Sequence, residues 1–568
     1  MSSAGTLSLR VGASERVRRS RGGRWLAIAL VGLILVSLAA RLSLLLRSSW
    51  LLEGDDALSA LMALSVIDGD RPIMLKNQTY AAAWEPYAMA VTYAVLGISR
   101  VSAKLPALLG SLALIGTTCL LAREVAGTAA AWFAGLLAAL PPVYVLVLSL
   151  KPWAPYTEVI LFGSLCVTCA LRLAWPDGRT DVESSRPGAA GRPRGAYSTN
   201  GSRRARRDGW WALATGVCGG LALWMHPLAV CYLIAAFLPL VARARRGGRW
   251  PMIATAGLAG FGLGSLPFWL FNVQTGGATF RFVAGGTQGQ TADRGAVLAA
   301  WWNNDLPRGA GLWHPWGPSP PLLAAAMAVF VAIGVLCALL ARRRISLRPL
   351  DGVLMLLVLM PTLLVFSGFG GPALNPYGFD ATGRYTPPIW SALAVVLGAV
   401  LGVVWQVRRY LAVGLSLVPL AVNAAGLLTI DPLEAFQSPY WDRLPADNAP
   451  LLAILRDEHV GAVWMNHWAG QPVMFDARAN GQPLIAYDWY DVQAGGIDRY
   501  PEYRPLAEQA ERPAFVLVTD DVEPELEHTL RFMGISFVER RASAYVVVIP
   551  TSRPVHPSEV TGAIDYRY

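Results

Sequence analysis

Long, sparsely charged apolar runs restrict this chain more than any other feature. Trp25–Leu46 and Val101–Ala122 are examples. At roughly 1.5 Å of rise per residue, helices of that length cross a ~30 Å hydrocarbon core. Only helices and closed barrels satisfy all backbone groups inside lipid, so the runs predict a bundle of membrane helices. With 54% hydrophobic and 15% charged residues over 568 positions, the chain is too apolar for a soluble protein of its size.

Eleven spans are expected, near 24–46, 101–122, 128–148, 156–175, 210–225, 228–242, 251–272, 321–341, 351–366, 386–405 and 411–429. The Arg-rich start (Arg10, Arg16, Arg18, Arg19, Arg21, Arg24) resembles a signal peptide, but the apolar stretch after it is too long and lacks a small-residue cleavage site. It reads as an uncleaved first span behind a cytoplasmic N-terminus, residues 1–23. Eleven spans from that start put every strong Arg cluster on the cytoplasmic side: Arg123, the run from Arg179 to Arg207, Arg243–Arg249, Arg342–Arg348 and Arg408–Arg409. The formal charge of +10 therefore speaks for topology and not for nucleic-acid binding. Pro86–Gly97 is short for a span and is laid flat on the outer surface, the alternative being a short, tilted crossing. Residues 47–100 then form one long external loop.

The expected fold is an α-helical polytopic membrane protein of about 11 transmembrane helices (24–429) with a small C-terminal extracytoplasmic α/β domain (430–555) and a tail (556–568). Residues 177–208, rich in Arg, Gly, Ser and Pro, read as a disordered cytoplasmic loop. In the C-terminal region, Leu451–His459 and Glu523–Met533 read as helices, and Ala462–Met465, Phe515–Thr519 and Tyr545–Pro550 as strands. No internal repeat of the kind common in transporters is visible.

The chemistry-bearing residues sit in the external loops. Asp55 and Asp56 follow the first span directly. A carboxylate against an apolar surface suits a general base or a metal ligand, although an Asp there also caps helices well. Glu85, in Trp84-Glu85-Pro86-Tyr87, opens the flat apolar segment, where it also suits a helix start. His226, between two short apolar runs, is a candidate cavity or metal residue beside Glu85, or a satisfied interfacial histidine. His314, among Trp313 and Trp316, is equally ambiguous. Lys76, Lys104, Lys151, Arg281 and Arg384 are external cations suited to a phosphate, or to snorkelling at the interface. Arg384 stands between Asp380 and a span start and is the strongest of them, with Lys151 weaker. Trp464, Asn466, His467, Trp468 and Tyr487–Tyr490 suit either a glycan surface or core packing.

Taken in order, these elements resemble the GT-C superfamily of membrane glycosyltransferases, within it the bacterial protein mannosyltransferase and aminoarabinose transferase-like enzymes. The resemblance runs over most of residues 24–550. It is carried by the acidic pair after span one, the acidic-Pro element Glu85-Pro86, and Leu96-Gly97-Ile98-Ser99 with Leu105-Pro106. Further along come Leu266-Pro267-Phe268-Trp269 with Asn272, and Gly383-Arg384-Tyr385-Thr386-Pro387-Pro388. It implies inverting transfer of a sugar from a polyprenyl-phosphate donor to a lipid, glycan or protein acceptor, at the outer face of the bacterial cytoplasmic (inner) membrane. By position it implies that Asp55 is the general base, that Glu85 lies on the acceptor or metal side, and that Arg384, in the Arg-Tyr element with Tyr385, meets the donor phosphate; Asp56, His226 (acceptor or metal side) and Lys151 (donor phosphate) join them as candidates from the residues themselves. A divalent metal is a possible cofactor on the same grounds. Two positions depart from the pattern: Asp56 stands where Glu is more usual, and Glu85-Pro86-Tyr87 stands where Lys-Pro-Pro often follows the second acid. The alternative is a lipid-linked sugar flippase. Such a transporter would carry ionisable residues near mid-membrane and show related halves, whereas the acids here cluster in external loops.

Overall fold

The structure, a computed structural model, describes residues 31–76, 78–175, 201–245, 249–285, 294–302, 349–366, 387–437, 444–493, 498–518 and 523–561. The expected span 321–341, His314, Arg384 and Tyr385 lie outside the described residues.

Helices dominate as far as residue 436. The longer ones are α1 (31–47), α2 (Gly54–Ile67), α3 (Trp84–Leu96), α4 (Arg100–Ala139), α5 (Tyr156–Ala174), α6 (Gly201–Met225), α7 (Ala229–Ala244), α8 (Trp250–Gly264), α9 (Leu266–Gln274), α10 (Asp351–Phe366), α11 (Pro387–Val407) and α12 (Arg409–Thr429). Among the described residues, four of these are long and apolar enough to cross a membrane: α4, α5, α11 from Pro388, and α12. The pair α8 and α9, bent by 57°, makes a fifth if it is one broken span.

Helix α4 resolves into two. Ala126 (φ −144°) and Gly127 (φ 84°) break its helical geometry. The left-handed angle at position 127 is one that glycine adopts at no steric cost. A Cβ placed on Gly135 would lie 2.5 Å from Sγ of Cys119. Sixteen residues of straight helix would separate those positions by roughly 24 Å. The two arms therefore fold back on each other, and the second ends at Ala139, so the expected run 128–148 is broken before a short helix at Val143–Leu148. Close helix contacts are made by small residues. A Cβ on Gly398 of α11 would sit 2.7 Å from the Ala130 carbonyl, and one on Gly216 of α6 would sit 2.0 Å from that of Gly257 in α8. Such approach gains packing where burial from water gives nothing.

Two differences from the sequence reading stand out. Helix α6 begins at Gly201, ahead of the expected 210, so the last residues of the Arg-rich segment are helical. Asp208 there pairs with Arg243 at 2.9 Å, which ties the helix start to the end of α7. The expected span at 251–272 is broken at Ser265, between α8 and α9.

Helix α3 is 13 residues long, about 20 Å, too short to cross a membrane. One face is buried through Met89, Ala90 and Tyr93, while Val91, Val95 and Leu96 are exposed. That pattern suits an interfacial helix. Helix α2 is buried along almost its whole length. A short antiparallel hairpin, β1 (Met74–Leu75) and β2 (Gln78–Ala82), joins α2 to α3.

Residues 444–561 build a five-stranded mixed sheet of order β4-β3-β5-β7-β6: β3 (Ala462–Trp464), β4 (Ile485–Tyr487), β5 (Ala514–Val518), β6 (Phe537–Ala542) and β7 (Tyr545–Pro550). The pairs β3–β4 and β3–β5 are parallel, and β7 runs antiparallel to β5 and β6. Helix α13 (Ala449–Asp457) precedes β3, α14 (His467–Ala479) makes the β3-to-β4 crossover, and α15 (Glu523–Phe532) leads to β6. Alternate residues face opposite sides. Val463, Val516, Val547 and Ile549 share one core with Leu58 and Leu61 of α2 and Met89 and Tyr93 of α3. Trp464, Phe515, Leu517 and Val548 form a second core on the other face. The sheet is thus seated on the helices of the first loop.

Candidate active site

The site begins where the chain turns out of α1. Ser49 (φ 52°) and Trp50 (φ 55°) both adopt left-handed geometry, roughly 1 kcal/mol or more each for non-glycine residues. They redirect the chain through buried Leu51, Leu52 and Glu53 into α2. Glu53 holds the N-cap position without a side-chain capping bond, and Asp55 and Asp56 lie inside the first turn. The capping role read for Asp55 is therefore not what the structure shows. Both carboxylates still benefit from the partial positive charge of the helix N-terminus.

Adjacent residues on a helix point about 100° apart, so the two acids meet different neighbours. Oδ2 of Asp56 accepts a hydrogen bond from Nζ of Lys104 at 2.7 Å, and both side chains are fully buried. Burial raises the proton affinity of Asp56 above the usual carboxylate range, against the pull of Lys104 and Lys151. Glu53, also enclosed, is pushed up to about 8 by burial, with Lys151 opposing. Asp55 faces the sheet, where its Oδ1 lies 3.8 Å from Nη2 of Arg499. That distance is an ion pair but not a hydrogen bond.

Close contacts bring Arg499 there. A Cβ on Gly54 would fall 3.0 Å from Cα and Cε3 of Trp468. Only glycine lets the start of α2 touch the start of α14 so closely. Asn466 caps α14 by accepting from the Trp468 N–H at 2.8 Å, and Asp488 accepts from the His467 N–H at 2.7 Å. Of the residues read as a possible glycan surface, His467 and Trp468 thus brace the acid-bearing turn, while Trp464 and Tyr487 pack in the core on the sheet's other face. Burial, then the charge of Arg499, lowers His467 to about 4, which keeps it neutral at pH 7. Arg100 binds Asp476 through two nitrogens and donates to the Ala446 carbonyl at 2.7 Å. Lys76 pairs with Glu502.

Glu85 lies in the first turn of α3 and is 2% exposed. Burial, then the nearby charges of Glu158 and Asp56, raises it well above the usual range. Glu158, on the first turn of α5 and buried, was not singled out from sequence. His226 is buried in the turn between α6 and α7, where Nδ1 accepts from the Leu228 N–H at 3.1 Å. Its ring packs against Tyr80 at 5.4 Å and Tyr156 at 5.1 Å. Among the described residues, no three His, Cys, Asp or Glu side chains come together as a metal ligand set.

Lys151 is buried, donates to the Gln437 carbonyl at 3.1 Å and lies over the Trp153 ring. Arg281 is exposed and donates to the Thr275 carbonyl at 2.9 Å. Lys104 serves Asp56 rather than an exposed phosphate site. Sequence reasoning also missed Glu53 and Arg499. No local pattern announces Arg499, which sits in an ordinary polar turn.

No protein-family model matches the sequence, and no curated protein matches it. Solved structures do match. ArnT from Cupriavidus metallidurans, an aminoarabinose transferase, bound to undecaprenyl phosphate, superposes with a TM-score of 0.57 at 14% identity, covering 96% of this chain and 99% of that one. Its apo form gives a TM-score of 0.58, also at 14% identity, covering 93% and 98%. The Archaeoglobus fulgidus oligosaccharyltransferase in complex with Zn and sulfate gives 0.50 at 14% identity, over 89% of this chain and 69% of that one. The fold is that of the GT-C glycosyltransferases. The flippase reading finds no support in these neighbours.

Proposed function

We propose that this protein is a membrane glycosyltransferase that moves a sugar from a polyprenyl-phosphate donor to a lipid, glycan or protein acceptor, with inversion. The observation that carries the reading is the split of the acidic pair. Asp56 is committed to Lys104 at 2.7 Å, while Asp55 faces Arg499 at 3.8 Å. A general base needs an oxygen that can take a proton from the acceptor, and Asp55 is the member of the pair suited to it. The fold shared with an undecaprenyl-phosphate-bound transferase supports the donor class.

In this reading the acceptor group attacks C1 of the sugar as Asp55 removes its proton. The bond from C1 to the phosphate oxygen breaks, and polyprenyl phosphate departs with the electron pair. The leaving group is good, so the protein need supply only the base, positioning and cations for the developing phosphate charge. Arg384, Tyr385 and Lys151 are the residues proposed for that charge, and Glu85 for the acceptor side. Eleven crossings from a cytoplasmic N-terminus place both α2 and the sheet outside the cytoplasmic membrane. Either a pentose or a hexose fits the reading.

The test uses the full chain reconstituted in liposomes with a panel of undecaprenyl-phosphate-linked sugars. Asp55→Asn should lose transfer by about 10²–10⁴-fold, the range for a general base, while still binding undecaprenyl phosphate in native mass spectrometry. Full activity in that variant refutes the base assignment. A wild-type chain that neither binds undecaprenyl phosphate nor turns over any of the panel refutes the donor class.

A further inference from the structure

We infer that Arg499, delivered by the C-terminal sheet unit, is a positioning residue for Asp55, so that the site is complete only when the sheet is seated on α2. The inference rests on the proposed role of Asp55 and adds a second group, from the far end of the chain, on which that role depends.

Three observations carry it. The first is the contact itself: Nη2 of Arg499 lies 3.8 Å from Oδ1 of Asp55, and the two side chains are only 14% and 7% exposed. The positive charge of a guanidinium attracts the carboxylate. At this distance it does so without donating a hydrogen bond to that oxygen. Lys104, by contrast, donates directly to Asp56.

Second, Arg499 is held rather than hanging from a loose loop. Its neighbour Asp498 accepts from the Tyr487 hydroxyl at 2.8 Å and from the Tyr500 N–H at 3.2 Å. Tyr500 stacks on Tyr503 at 4.7 Å, and its hydroxyl reaches the Leu58 carbonyl of α2 at 3.5 Å. The turn is thereby registered against the same helix that carries Asp55.

Third, the sheet meets the membrane-side helices at more than one point. Trp468 abuts Gly54, one residue before Asp55, and Arg100 holds Asp476 on α14. With Tyr500 on α2, these contacts leave the sheet little freedom to rock. A shift of about 1 Å at a reacting group costs on the order of 10²-fold in rate, so the seating of the sheet acts directly on the chemistry. A residue that acts on the base should change turnover and leave donor affinity alone.

The experiment compares wild type, Arg499→Ala and Arg499→Lys as full chains in liposomes, using the undecaprenyl-phosphate-linked sugar that wild type turns over. Arg499→Ala is expected to lower kcat by about 10²-fold with the donor KM little changed. Millimolar guanidinium should restore part of the loss, and Arg499→Lys should retain more activity than Ala. Unchanged kcat in Arg499→Ala overturns the inference. A raised donor KM with weakened undecaprenyl phosphate binding also overturns it, since Arg499 would then be a donor-phosphate residue. A lowered unfolding midpoint in both variants, without guanidinium rescue, overturns it in favour of a purely structural role. An inactive wild type sinks the transferase reading itself, whereas an active wild type with indifferent Arg499 variants sinks this inference alone.

Discussion

Replacing Lys104 by Met should destabilise the protein more than replacing Lys104 and Asp56 together, and the difference should grow with pH. The pair is 2.7 Å apart with both side chains fully buried. At an effective dielectric of about 20, its attraction is about 6 kcal/mol before desolvation is subtracted. Desolvation nonetheless outweighs both lysines, because the carboxyl of Asp56 remains above the usual range. The intact pair is therefore close to break-even, and removing one partner should cost about 3–5 kcal/mol. The route to that cost is a proton. In Lys104→Met the folded state keeps Asp56 protonated, while the unfolded chain releases the proton above about pH 4. Stability then falls as pH rises, by about 1.4 kcal/mol per unit. Asp56→Asn combined with Lys104→Met removes the titrating group and should abolish the slope. The assay is thermal unfolding of purified protein in detergent at pH 5 and pH 8. The single variant should lie several degrees below the double at pH 8 and close to it at pH 5. Equal midpoints for the two variants at pH 8, or cost that simply adds between positions 56 and 104, would refute the reasoning.

Two further outcomes follow from the same geometry. Glu53→Gln should stabilise the protein progressively from about pH 4.5 to about pH 8, because the folded state holds the Glu53 proton up to about 8 and the unfolded chain does not. The gain approaches about 5 kcal/mol from that shift alone, and an unfolding midpoint no higher than wild type at pH 8 contradicts it. For topology, single cysteines near residues 90 and 190, in a background without native cysteines, should differ in labelling by an impermeant thiol reagent in intact cells. Only the former should react, and the reverse pattern overturns an external first loop.

Much of the fold was legible. Apolar runs marked most of the described helices because helix length and bilayer thickness are matched by simple geometry. The strands at 462–464, 514–518 and 545–550 were legible as short apolar, β-branched segments. Two strands and one helix were not. Strand β6 (Phe537–Ala542) carries Glu539, Arg540 and Arg541 on a sheet edge, so no apolar alternation marks it. Strand β4 has only three residues. Helix α14 contains Gly470 and Pro472, both poor helix formers, and is held by its Asn466 cap and its burial. Its packing, which sequence reasoning could not weigh, outvoted its propensity.

The site divides in the same way. By itself, the sequence determined that carboxylates would lie at the end of the first apolar run and that they would be costly to bury, since both facts are local. Which acid pairs with Lys104 and which faces Arg499 was decided only by tertiary structure. Asp55 and Asp56 are chemically identical, and Lys104 stands 48 positions from Asp56. Arg499 comes from beyond the membrane helices altogether. Coulomb attraction and desolvation depend on distance in space and on enclosure, and neither quantity is written in the order of residues along a chain.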